Sequence, residues 1–176
     1  VVHLKCSMIN KMPGLGFDKY ANLKAAYAFM MGHAGKKLLF MGQEFAQLRE
    51  WSEERELDWF LLGEPEHVQM QTWVKDLLHM YKRHKALYEM DQSWEGFEWI
   101  NADDGDRSIF SFVRHSASGK NNMLFVINFT PVERPDYRVG TTCRRKHTLV
   151  LNSDAKKFGG EGKRRPKEYK PVKKEC

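Results

Sequence analysis

Gly35-Lys36-Lys37-Leu38-Leu39-Phe40-Met41-Gly42-Gln43-Glu44-Phe45-Ala46-Gln47-Leu48-Arg49-Glu50-Trp51 is the stretch on which the reading of this chain turns. Four consecutive apolar residues, Leu38 to Met41, stand between two lysines and a glycine. That run is too short for a helix and fits a strand buried on both faces of a parallel sheet. Its carboxyl end delivers a glycine, an amide and a carboxylate. A loop mixing charge and aromatics then runs from Gln43 to Leu62.

Helical patterns flank this strand. Pro13-Gly14 is a turn signal, after which Tyr20, Leu23, Tyr27, Met30 and Met31 fall on one apolar stripe. Asp18 lies near the start of that helix, where a carboxylate suits the dipole, and Gly32 is a stop. Beyond Pro65, Trp73, Leu77 and Tyr81 recur every four residues with Val74 and Leu78 beside them, giving a wide core-facing surface. The order helix, strand, helix predicts the end of an alternating α/β barrel. In a (β/α)8 barrel the loops after the strands build the active face.

From about Phe97 the pattern changes to β. Phe97-Glu98-Trp99-Ile100, Ser108 to Val113 and Met123 to Ile127 read as strands, separated by the turn-forming stretches 103–106 and 116–122. Arg138-Val139 and Thr148 to Leu151 add two more. The fold expected is α/β followed by all-β: residues 1–88 as the carboxyl-terminal part of a (β/α)8 barrel, and residues 89–155 as a small antiparallel β-sandwich domain, incomplete at its end. Residues 156–176 are expected to form a solvated, disordered tail.

Charge supports that last division. Residues 156–176 carry nine Lys/Arg against three Glu, whereas residues 1–155 carry twenty of each sign. A neutral body argues against a nucleic-acid binder, and a basic run with almost nothing apolar to bury stays solvated. No apolar run approaches the roughly 20 residues a membrane span requires. Val1 to Cys6 lacks a signal peptide's apolar stretch, and the missing initiator methionine is expected of a chain that starts inside a longer protein. Cys6, Cys143 and Cys176 are odd in number and far apart, which reads as reduced thiols in the cytoplasm. The histidines lack metal-ligand spacing, and Asp103, Asp104 and Asp106 lack the terminal glutamate of a calcium loop, so neither metal nor cofactor is expected and the aspartates read as a solvated turn.

Two readings stand for the loop after the strand. Gln43 and Glu44 bind sugar hydroxyls or orient neighbouring carboxylates; alternatively, Glu44 pairs with an arginine to fix the loop. Trp51 and Trp59, set among Arg49, Asp58 and other charges, suit stacking on a sugar's apolar face. They equally suit packing of the loop onto the body. Trp73, Trp94 and Trp99 are expected in the core.

Four segments, taken in order, resemble the bacterial-type 1,4-α-glucan (glycogen) branching enzymes of the α-amylase superfamily, glycoside hydrolase family 13. They are Val1-Val2-His3; Lys11-Met12-Pro13-Gly14 with Ala21-Asn22-Leu23; Gly35 to Gln47 continuing through Arg49-Glu50-Trp51 to Leu57-Asp58-Trp59; and Gly96-Phe97-Glu98-Trp99 with Asn128 to Val132 and Leu151 to Asp154. The resemblance implies the seventh helix, eighth strand and eighth helix of the barrel, then most of a carboxyl-terminal β-domain. It implies α-glucan as the bound partner, with Gln43, Glu44, Arg49, Trp51, Asp58 and Trp59 as substrate-binding positions. Such enzymes cleave an α-1,4 link, hold the chain as a glycosyl-enzyme and pass it to a C6 hydroxyl, a retaining chemistry needing two carboxylates about 5 Å apart. The family's catalytic carboxylates precede the Val-Val-His run, so no catalytic residue is assigned here and the chain alone is expected to be inactive; the alternative is a non-catalytic α-glucan-binding remnant. Leu48 stands where tryptophan or glycine is usual, and Phe60 where histidine is usual.

Overall fold

The apolar stripe of residues 20–31 becomes the longer of two helices at the amino-terminal end. In the computed structural model, which describes residues 4–163 and 165–173, α1 spans Met8–Lys11 and α2 spans Phe17–Gly32. Leu23, Tyr27 and Met31 are buried, with Tyr20 and Met30 at the margin of the same core. Asp18 lies in the first turn, and His33 caps the carboxyl end after Gly32. Gly32 does more than stop the helix: a Cβ there would sit 2.7 Å from ring carbons of Phe125, so its bareness lets the sheet approach. Helix α3, Pro65–Arg83, starts with proline in its first turn, where the missing N–H costs nothing. Its buried face is His67, Met70, Trp73, Val74, Leu77 and Met80; Leu78, expected to be buried, is exposed.

The expected strand between them does not form. Residues 36–40 enter no β-ladder among the described residues, and Leu38 is 59% exposed while Leu39 packs against the core. A parallel strand is held by neighbours on both sides, and the chain's other long strands are hydrogen-bonded antiparallel to one another. The segment therefore runs as a one-sided connection rather than as part of a barrel sheet.

The three β-like runs do pair. β1 (Phe97–Asp104), β2 (Ile109–Arg114) and β3 (Met123–Asn128) form an antiparallel sheet in the order β1-β2-β3. β1 slips register twice, between Trp99 and Asn101 and again before Asp104. β4 (His147–Thr148) pairs with β5 (Glu168–Tyr169) in a second, two-residue ladder, and Arg138-Val139 forms no strand. Among the described residues the three-stranded sheet packs on the helices rather than on another sheet: its inner residues, Phe112, Phe125 and Ile127, join the helices' core. Phe29 of α2 sits amid the rings of Trp99, Phe110, Phe112 and Phe129. One hydrophobic core thus crosses residue 88, where two units were expected to meet.

Two further expectations need correction. Trp94 is 86% exposed, and Trp99 is exposed on one side although its ring lies against Phe29; of the three, Trp73 is buried. The basic tail is ordered at its start: Lys156–Phe158 is a helical turn, and Phe158 is 2% exposed against Trp73 at 4.9 Å between centroids. Lys24, itself buried, donates to Phe158 O at 2.7 Å, and Trp73 Nε1 donates to Lys24 O at 3.1 Å. One aromatic residue was enough to seat what charge alone would have left in water.

At the seam of helix and sheet lies Arg114, fully buried. Its guanidinium donates to Gly96 O (3.1 Å), Gly32 O (2.9 Å) and His33 O (3.1 Å), and pairs with Asp91 at 2.5 Å. It satisfies carbonyls at the carboxyl end of α2 that have no intrahelical donor.

Candidate functional site

The turn after Met41 is built from unusual backbone. Gly42 has φ 85° and Ala46 φ 58°, bracketing the helical turn Gln43–Phe45. Gly42 has no room for a side chain, since a Cβ would lie 2.8 Å from Gln47 Cβ. Gln47 is the residue that sequence reading missed. Its N–H donates to Gly42 O at 2.9 Å, its Oε1 accepts from Asp58 N at 2.9 Å, and its Nε2 donates to Arg49 O at 3.2 Å. A buried glutamine thus staples both ends of the loop, and no spacing in the sequence announces such a role.

Two helices hold the turn from behind. Tyr27 of α2 donates its hydroxyl to Gln43 O at 2.9 Å; burial, and then the nearby Glu44 carboxylate, hold that phenol in its protonated form. His67 of α3, buried, donates from Nδ1 to Phe45 O at 2.8 Å, while Tyr20 OH lies 3.2 Å from its other ring nitrogen. Burial and Glu66 push Tyr20 up to about 12. From the amino-terminal side, Ser7 Oγ and Asn10 Nδ2 both donate to Leu48 O, at 2.8 and 2.7 Å.

The six expected binding residues separate by what they are already doing. Arg49 and Asp58 grip each other through two hydrogen bonds, one of 2.8 Å between Arg49 Nε and Asp58 Oδ2. The bond to Arg49 holds the buried Asp58 carboxyl below its usual range. Gln43 Oε1 accepts from Phe40 N at 3.1 Å, which closes the turn. Glu44 forms no hydrogen bond or ion pair among the described residues, so the arginine pairing of this loop belongs to Asp58 instead. Trp51 is half-buried with its ring edge-on to Phe40, 5.2 Å between centroids. Trp59 rests on Phe45 at 5.1 Å, yet leaves half its surface exposed beside the exposed Phe60. Between this loop and the segment Cys6–Ile9 runs a groove of about 250 Å³ with Phe40, Gln43 and Trp51 on its wall.

Compared with known proteins, residues 99–175 match the alpha amylase C-terminal all-beta domain. A 1,4-alpha-glucan branching enzyme from Butyrivibrio fibrisolvens is 54% identical over 176 residues, all of this chain and 28% of that protein. The same-named enzyme of Aquifex aeolicus is 51% identical over 162 residues, 92% of this chain and 26% of its own length. That of Roseobacter denitrificans is 49% identical over 162 residues and 22% of its length. The whole chain is similar to one part of the 1,4-alpha-glucan branching enzymes. It spans about a quarter of the length of these branching-enzyme relatives. The Val1-Val2-His3 portion of the resemblance lies outside the described residues. Among the described residues, no group of three or more His, Cys, Asp or Glu is placed to hold a metal, and no helix is long and apolar enough to cross a membrane.

Proposed function

We propose that this chain is the carboxyl-terminal portion of a 1,4-α-glucan branching enzyme, with residues 1–88 completing the catalytic barrel and residues 89–155 belonging to the β-domain, extended by the seated Phe158 turn. The observation that carries the reading is identity of 54% over all 176 residues to such an enzyme. In the complete enzyme, residues 36–41 become the eighth barrel strand once parallel neighbours supply its hydrogen bonds. The reaction is the retaining transfer of an α-1,4 chain to a C6 hydroxyl.

Within that reading the loop residues take different parts. Glu44, held on a turn braced by Tyr27 and His67, accepts hydrogen bonds from glucan hydroxyls. Trp59, half-exposed, offers its face to a sugar ring, and the Gln43 amide nitrogen remains able to donate. Arg49 and Asp58, spent on each other, shape the loop, with Trp51 packing its base. The catalytic carboxylates come from outside the chain, so the chain alone transfers nothing. We place the protein in the cytoplasm, which its exposed free thiols at Cys6 and Cys143 support.

A chimera tests this. Replacing the matching segment of the Butyrivibrio fibrisolvens enzyme with this chain is expected to leave amylose branching intact, read as loss of iodine colour and as new isoamylase-sensitive ends. A chimera that folds but forms no branches refutes the reading, as does branching by the isolated chain.

A further inference from the structure

The loop from Glu133 to Arg138 forms, with Asn101 of β1 and Arg107, an open pocket of about 690 Å³ that shares no lining residue with the proposed glucan loop. Three guanidinium groups line it: Arg107, Arg134 and Arg138. Most carboxylates nearby are already engaged. Asp104, buried, accepts from Arg107 Nε at 2.8 Å and from Tyr137 OH at 2.7 Å, one bond on each oxygen. Glu133 accepts from Lys163 Nζ at 2.6 Å and from Arg165 Nη2 at 3.3 Å. Asp136 is the one lining acid with no basic partner among the described residues.

The arginines, by contrast, are under-used. Arg134 Nε is buried without a hydrogen-bond partner, and neither Arg134 nor Arg138 forms an ion pair among the described residues. A buried donor left unsatisfied is costly, and an incoming acceptor removes that cost. Guanidinium forks match the oxygens of an oxyanion two at a time. A neutral sugar fits less well, because the pocket's aromatic ring, Tyr137, carries the Arg107 guanidinium 5.3 Å above it and has spent its hydroxyl on Asp104. We infer that this pocket binds a phosphate group, as inorganic phosphate or as the monoester of a small sugar phosphate. Arg134 and Arg138 grip the oxygens, Arg107 adds charge from its fixed position, and Asp136 opposes them.

The test titrates inorganic phosphate, and separately glucose 6-phosphate, into the full chain at low ionic strength. Binding is followed by calorimetry and by the arginine Nε–Hε signals in NMR spectra. Phosphate is expected to move the Arg134 signal. Arg134→Gln and Arg138→Gln are each expected to weaken binding about tenfold or more, as loss of a charged hydrogen bond does. Asp136→Asn is expected to tighten it, and added salt to weaken it. Tighter binding of glucose 6-phosphate identifies a monoester as the ligand; tighter binding of the free ion identifies inorganic phosphate. Arg138 is exposed and forms no side-chain hydrogen bond or ion pair among the described residues, so its replacement leaves the fold intact. An unchanged Kd in Arg138→Gln overturns the inference, as does an Arg134 signal that responds to maltohexaose and not to phosphate.

Discussion

Replacing Arg114 by methionine removes a side chain of β2 that ties the end of α2 to Asp91 and Gly96. Four contacts are lost: three carbonyl oxygens of Gly32, His33 and Gly96, and the Asp91 carboxylate. At about 1.5–3 kcal/mol for each charge-assisted bond, the gross loss is about 6–12 kcal/mol. Much of that is offset, because a buried guanidinium also carries a desolvation cost that methionine does not. What stays behind is a carboxylate whose side chain is 4% exposed and has lost its cation. Breaking a buried pair from one side costs about 3–5 kcal/mol, and that is the expected loss here. Against a typical domain stability of about 5–15 kcal/mol, such a loss is severe. Urea denaturation followed by far-ultraviolet dichroism reads it as a fall in midpoint. Arg114→Lys should also lose stability, since one ammonium cannot reach carbonyls on two elements as the fork does. The double variant R114M/D91N should recover part of the loss by removing the stranded charge. A cost under about 1 kcal/mol for R114M, or a double variant no better than the sum of the singles, would refute the account.

Gly32→Ala places a methyl group 2.7 Å from the Phe125 ring and is expected to cost about 1–3 kcal/mol, read as a lowered Tm. Phe158→Ala empties the pocket beside Trp73, with an expected cost of about 3–5 kcal/mol and faster proteolysis after residue 155. Burial lowers Lys37 to about 8, so the unfolded chain binds more protons above that pH; stability should rise from pH 8 towards 10 and should not do so in Lys37→Met. Asp58 is also lowered, by its bond to Arg49: its contribution is full above the usual carboxylate range and is lost as pH falls through the lowered value. Acid titration of Asp58→Asn by tryptophan fluorescence should lack that component.

Helices α2 and α3 and strands β1 to β3 were legible because each carries its own periodicity, and a stripe of Leu23, Tyr27 and Met31 needs only a core to face. The Leu38–Met41 segment was not, because a parallel strand depends on neighbours that local sequence does not contain. Phe158 was hidden by its company: composition averaged over a basic run conceals the single side chain that finds a pocket. Asp104 looked like part of a solvated turn, yet it is buried, bonded to Arg107 beside it and to Tyr137 from 33 residues away. At the candidate site, Gly42-Gln43-Glu44 and the two tryptophans stood out, whereas Gln47, Tyr27 and His67, which hold the turn in place, did not. Their contributions run through backbone groups and so leave no pattern of residue types.

The clasp of Lys24, Trp73 and Phe158 also has a bearing on synthesis. The helices that form two of its parts leave the ribosome long before the third exists. At about 5–20 residues per second, Phe158 follows Trp73 by about 4–17 s. Until then one side of an indole destined for burial lacks its cover, and the nascent chain offers chaperones a sticky face at one known address. Closure of the clasp is consequently a late event of biogenesis, and a ribosome stalled before residue 158 would display an intermediate with the Phe158-facing side of Trp73 still open to water.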